Sequence, residues 1–259
     1  MKVLLYLIVI LYCTVGQANE QATNSKNSLT IKYQEFKRLA LDGDVNSQYE
    51  IFNFVNSNKP KLNENLTEAF KFMIKAGEAG HTEAQFTIGS MYQTGNLLKK
   101  NSDIALGWLL EAAKNGHRKA QFLVGNNYFV RALDATDEED HENVELARYW
   151  YEKSIEDNYL IAIKQYGLFL FMFDKFSPKA DKLLNQVAET GDSDAMNWLG
   201  KLYSHRWGEN RSDTDFNLAH SWFEKAKLNG YKSQPLIDEL NEKKKNYLER
   251  IAEENKEEK

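Results

Sequence analysis

The sequence predicts an all-α protein assembled from repeated helix pairs. Three observations predict it: helix breakers are scarce, apolar residues recur at three- and four-residue spacing, and that pattern itself returns down the chain. Only 3 prolines and 14 glycines occur in 259 residues, which excludes collagen and most loop-rich β architectures. Hydrophobic residues make up 42% and charged residues 27%, the balance of a chain that folds around a core. The 33 basic and 38 acidic residues leave a net charge of −5. Nucleic-acid binding demands a basic footprint, so no nucleic acid is expected as a partner.

The first element is not part of the fold. Lys2 precedes an apolar run from Val3 to Tyr12, and the small-residue stretch Gly16-Gln17-Ala18 follows. A basic start, a short apolar run and a small-residue exit make a secretory signal peptide. The run is too short for the ~20 apolar residues of a membrane helix. Residues 1–18 are therefore expected to be removed, and residues 19–28, polar and without periodicity, to form a flexible leader. The single cysteine, Cys13, leaves with the signal, so no disulfide or cysteine-bound metal is expected. Such a protein would be periplasmic or secreted.

Two patterns then recur together. The first is a small residue, an apolar one four on and glycine five on, often with tyrosine at eight. It occurs as Ala84-Ile88-Gly89-Tyr92, Ala120-Val124-Gly125-Tyr128, Ala162-Tyr166-Gly167-Leu170 and Ala195-Leu199-Gly200-Tyr203, with a degraded copy at Ser47-Ile51-Phe52-Val55. The second is alanine with large apolar residues three and four on: Ala69-Phe72-Met73, Ala105-Trp108-Leu109, Ala147-Trp150-Tyr151, Ala180-Leu183-Leu184 and Ala219-Trp222-Phe223. Both spacings put the apolar residues on one helical face. Eleven residues after each second-pattern alanine stands Gly80, Gly116, Asn158, Gly191 or Gly230, the residue types of a left-handed helix C-cap. Asn65 with Glu68, and Ser102 or Asp103, are the expected helix starts. Cap-to-cap spacings of 36, 42, 33 and 39 residues fit a two-helix repeat with variable loops. The glycines clear space for a close second helix, so leucine at Gly125 or Gly200 should overpack it.

The block Glu83-Ala84-Gln85-Phe86-Thr87-Ile88-Gly89-Ser90-Met91-Tyr92-Gln93-Thr94-Gly95, continuing through Ala105, Trp108, Ala112-Ala113 and Gly116, resembles the Sel-one-like repeat, a relative of the tetratricopeptide repeat. The resemblance covers residues 43–230 as five copies; the first lacks the glycine and the fourth has a shortened loop. It implies a right-handed superhelical solenoid of antiparallel helix pairs. It also implies an exported or membrane-associated adaptor that binds other proteins, a role that includes immunity proteins against secreted antibacterial toxins.

The ends read as caps. Residues 29–42 carry Tyr33, Phe36 and Leu39 at helical spacing before Gly43, as a lone helix would. Residues 231–259 begin with Gln234-Pro235, carry Leu236, Leu240, Tyr247 and Ile251 as a thin apolar stripe, and end in a charged tail. A polar outer face is what a solenoid terminus needs.

Little in the sequence carries chemistry. The five histidines, His81, His117, His141, His205 and His220, include no pair at zinc-ligand spacing, and no nucleophile elbow or phosphate loop occurs. No catalytic residue, metal or cofactor is expected. His81 and His117 each follow a C-cap glycine and read as helix-end residues. The acidic insertion from Asp134 to Glu142 lacks the ligand spacing of a calcium loop and reads as a solvated loop. Some cysteine-rich relatives are linked with β-lactam chemistry, but the required cysteines and S-x-x-K are missing.

The inner face of the first helices is the expected binding surface. Positions three and six after each small residue give Glu50, Thr87, Leu123, Gln165 and Trp198, then Asn53, Ser90, Asn126, Leu168 and Lys201. Leu123, Leu168 and Trp198 are more apolar than a solvated position requires, while Asn126, Asn127 and Lys201 add polar groups. Trp207, between Arg206 and Arg211 in place of a glycine-rich turn, is expected as an exposed contact. The expected function is an exported, non-enzymatic scaffold gripping a protein partner, in its sharper form an immunity protein. An adaptor for envelope or peptidoglycan machinery is the alternative, and a hydrolase the remotest reading.

Overall fold

The computed structural model describes residues 27–62, 66–134, 139–174 and 177–257. The signal segment 1–18, most of the leader, Asn65 and residues 135–138 of the acidic insertion lie outside them. No strand occurs among the described residues. The helices divide into two compact units, one reaching Ala120 and the other starting at Gln121.

In the first unit, α1 (27–41) is followed by α2 (Val45–Leu62), α3 (Leu66–Glu78), α4 (Thr82–Thr94) and α5 (Ser102–Lys114). Helix α2 packs on α3 and α4 on α5. Tyr33, Ile51, Phe52, Met73 and Ile88 fill their core. The second unit takes up α6 (Arg118–Asp134) and continues with α7 (Glu139–Ser154), a 3-10 turn, α8 (Leu160–Phe173), α9 (Pro178–Ala188), α10 (Ser193–Asn210), α11 (Asp213–Leu228) and α12 (Gln234–Glu257). Its core runs from Tyr151, Tyr166 and Phe169 through Leu184 to Trp207, Phe223 and Leu240.

The repeat glycines do what their spacing predicts. A methyl group on Gly89 would sit 2.8 Å from Cγ of Leu109; on Gly125, 3.0 Å from Cδ1 of Tyr151; on Gly167, 2.9 Å from Cγ of Leu184; and on Gly200, 2.5 Å from Cδ1 of Phe223. Each large residue is the second apolar position of its own repeat. The degraded copy replaces glycine with Phe52, and its second-pattern residue in the same core is Met73, whose unbranched chain adapts to irregular space. Both are buried.

Helix ends follow the same logic. Gly43, Gly80, Gly116, Gly191 and Gly230 all have φ between +83° and +92°, and Asn158 reaches +59°, where a Cβ is tolerated poorly. His81 and His117 cap the following helices: Nδ1 of each accepts a backbone N–H, from Ala84 and Ala120, at 3.1 Å. Helix α5 starts one residue earlier than expected. Asn101, with an extended backbone, accepts the amides of Asp103 and Ile104, and Ser102 and Asp103 are already helical.

Neighbouring repeats meet at a recurring joint. The residue two after each small starter reaches the N-cap of the next first helix: Tyr49 stacks on His81 at 4.5 Å, Phe86 on His117 at 4.1 Å, and Phe122 meets Tyr159 edge-on at 5.8 Å. In the fourth copy, Lys164 pairs instead with Asp192 at 2.8 Å.

Helix α12 corrects the expected stripe. Ile237 and Leu240 are its buried residues, Leu236, Tyr247 and Ile251 are half-buried, and Leu248 is exposed. No described helix is long and apolar enough to cross a membrane.

Candidate functional site

None of the ten expected inner-face residues is buried, so the periodicity separates this face from the core. All seven singled out for partner binding fall in the second unit. Leu123, Asn126 and Asn127 stand on α6, Leu168 on α8, and Trp198, Lys201 and Trp207 on α10.

Two of the polar groups are partly engaged. The Tyr151 hydroxyl donates to Oδ1 of Asn126 at 2.6 Å. Burial pushes the Tyr151 phenol well above its ordinary pKa, so it stays a donor and leaves Asn126 its amide. The Asn127 amide donates to the Leu123 carbonyl at 3.3 Å. Trp198 is half-buried beside Phe171, and Nζ of Lys201 lies 4.1 Å from its ring centroid. That pair is an aromatic face carrying a full positive charge.

Trp207 departs from expectation: it is 2% exposed. The segment from His205 to Asn210 continues α10 instead of turning, so the indole swings onto α11 and α12. There it meets Phe216 at 5.7 Å and Tyr247 at 6.3 Å. The turn comes at Arg211, which caps α10 with its N–H bonded to the Trp207 carbonyl and with φ +54°. A non-glycine residue in that region costs about 1–2 kcal/mol.

Between the C-terminal half of α10 and the face of α12 opens a cleft of about 830 Å³. Phe171, Lys201, Trp207 and Phe223 line one side, and Leu236, Leu240 and Tyr247 the other. The structure thus brings Lys201 and Trp207 to one site. Leu123, Asn126, Asn127 and Leu168 do not line it.

Sequence reasoning missed the cleft's cations on the far wall. Arg211, Lys243 and Arg250 line it together with Glu209 and Glu239. The guanidinium of Arg211 sits 5.0 Å from the Trp207 ring and 4.9 Å from Tyr247. Lys243 pairs with Glu239 and Arg250 with Glu254 along α12. The available signal was Arg211 itself: the corresponding cap on α4 is Gly95, with φ +76°.

Elsewhere, shifted groups serve the scaffold. Burial lowers the His117 pKa and outweighs the carboxylate of Glu83, 3.2 Å from Nε2. Burial would raise Asp192, but the Lys164 ammonium and the Ala195 and Asp194 amides hold it below the ordinary range. Among the described residues, no three metal-type side chains converge.

The Sel1 repeat profile matches four segments, residues 59–81, 82–117, 119–159 and 193–231, together more than half of the chain. The chain belongs to the Sel1 repeat family. The profile passes over 160–192, where α8 and α9 nevertheless pair through Gly167 and Leu184. No curated protein matches the chain significantly.

Solved structures of the same fold include c5321, a protective antigen of uropathogenic Escherichia coli with an SLR fold, at 23% identity and TM-score 0.58. That match covers 83% of this chain and 45% of the antigen, so this chain spans less than half the antigen's length. A Sel1 repeat protein from Oxalobacter formigenes matches at 22% identity and TM-score 0.54, over 78% of this chain and 86% of its own. Both likenesses speak to the Sel1 fold alone. The immunity protein Pa5087 of Pseudomonas aeruginosa, at 15% identity, covers 80% of this chain and 76% of its own with TM-score 0.37, too slight a likeness to bear on fold or role.

Proposed function

We propose that this Sel1 repeat scaffold is a non-enzymatic, exported protein that binds a protein partner through the open face of its second unit. The observation that carries the reading is Trp198 with Lys201 beside the cleft: a half-buried indole under a lysine, with Phe171 against its ring. Indoles and cations set among half-buried apolar residues are what interface anchors are made of. Export rests on the composition of residues 1–18. The sharper reading is an immunity protein that occludes a secreted toxin, supported by the export segment and the net charge of −5.

Cross-linking of the full-length chain in its native envelope, followed by mass spectrometry, tests both levels. A single dominant secreted hydrolase supports the immunity reading. A wall-synthesis or envelope assembly keeps the scaffold and replaces immunity with an adaptor role. Recovery of no partner overturns the scaffold reading. Trp198→Ala should weaken capture of that partner by about tenfold or more, with helicity intact. Undiminished capture moves the site off this face.

A further inference from the structure

The cleft between α10 and α12 holds positive charge in an unusual way. Nζ of Lys201 lies over the Trp198 ring, and the Arg211 guanidinium lies against Trp207 and Tyr247. Among the described residues, no carboxylate lies within ion-pair distance of either. Aromatic faces position a cation without neutralising it, and a stacked guanidinium keeps its in-plane N–H donors free for a carboxylate. The other two cations of the cleft, Lys243 and Arg250, are paired along their own helix. Two cations are thus held ready.

Arg211 carries a second, independent mark. It occupies the left-handed region at a helix end, a conformation that Gly43, Gly80, Gly95, Gly116, Gly191 and Gly230 supply at other turns and that only Leu97 and Asn158 share among the described non-glycine residues. Glycine would serve the turn without strain. A side chain kept at a strained position points to a task for that side chain.

Resting on the protein-binding reading above, we propose that this cleft captures an acidic peptide segment of the partner, with carboxylates on Arg211 and Lys201 and an apolar side chain against Leu236 and Tyr247. Charge complementarity selects the occupant. The chain is acidic overall, so it repels such a segment generally and admits it at this cleft. Glu209 on the same cleft has no cation partner among the described residues. It disfavours a continuous phosphate backbone and tolerates discrete carboxylates spaced around it. Gly208 leaves the wall open, with nothing within 4 Å of the place a Cβ would occupy.

The test pans a random dodecapeptide display library against the full-length chain. The expected peptides are rich in Glu and Asp around a leucine or aromatic residue. They should bind Arg211→Gly and Lys201→Met about tenfold more weakly and weaken as salt rises. Arg211→Gly should melt no lower than the parent, because glycine suits that φ, so a binding loss there is not unfolding. Peptides without acidic bias, an empty panning, equal binding to both variants, or stronger competition by an RNA oligonucleotide each overturn the proposal. If the cross-linked native partner binds Arg211→Gly normally but is lost on Trp198→Ala, the scaffold reading stands and the cleft is not its acidic site.

Discussion

At the Phe86–His117 joint and the Lys164–Asp192 joint, one place in the repeat is filled by opposite chemistries. In the first unit a phenylalanine stacks on the imidazole, whose Nδ1 accepts the Ala120 amide and whose Nε2 lies 3.2 Å from Glu83. In the second unit one carboxylate oxygen of Asp192 accepts the Ala195 amide at 2.8 Å, and the other accepts from Lys164 at 2.8 Å. Both joints present one acceptor to the amide three residues on and use the remaining face to hold the previous repeat. The repeat therefore conserves a geometric task, and rings or ions perform it equally well. The price is a different dependence on solution conditions.

Two glycine contacts, one from each unit, differ again, and this gives the largest expected effect. Gly200→Ala drives a methyl to 2.5 Å from the rigid Phe223 ring, whereas at Gly89 the nearest atoms belong to the flexible Leu109. Gly200→Ala should cost about 1–3 kcal/mol, and Gly89→Ala less. Gly107→Ala, in α5 with open space around it, should gain up to about 1 kcal/mol from helix propensity. Denaturant melts of the three variants decide it; equal losses at Gly200 and Gly107 would sink the close-approach account.

Asp192→Ala should come next, at about 1–2 kcal/mol, since it removes an N-cap and a partly buried ion pair together. Asn at the same position restores the cap alone and should recover part of the loss. No recovery would show that the carboxylate acts only through Lys164.

Acid separates the two joints with a smaller effect. His117 is held below its ordinary 6.5, so its contribution is present above about pH 6.5 and fades as pH falls through its own lower value. Asp192 is held below 3.8, so its contribution persists until pH falls below about 4. From pH 7 to 5 the parent should lose stability relative to His117→Asn and hold a constant lead over Asp192→Asn. Parallel melting-temperature curves for all three would refute the distinction.

The fold was legible because its determinants are local and repeated. Gly80 and Gly116 announced helix ends, and Gly89, Gly125, Gly167 and Gly200 announced close approaches, each by position alone. The role of His117 was legible for the same reason. The cleft was not, because its walls come from residues more than thirty positions apart, such as Lys201 and Tyr247, on an α12 whose charge reads as solvation. Trp207 misled for a related reason: two flanking arginines suggest a wet loop, but α10 runs three residues past the indole and turns it inward. Arg211 was visible in the string yet meaningless until its φ showed that it stands where glycine would suffice.

The matching histidine caps have one more consequence. His81 precedes Ala84 by three residues, and His117 precedes Ala120 by three, and in each the ring Nδ1 accepts the N–H of that alanine. Excising residues 82–117 would set His81 directly before Arg118, with the Tyr49 stack untouched and the Ala120 amide within its reach. Such a shortened chain should still melt cooperatively, and a broad, non-cooperative melt would disprove the equivalence. The protein can thus lose or gain length in whole steps, so that span becomes heritable by duplication without any new joint having to be invented.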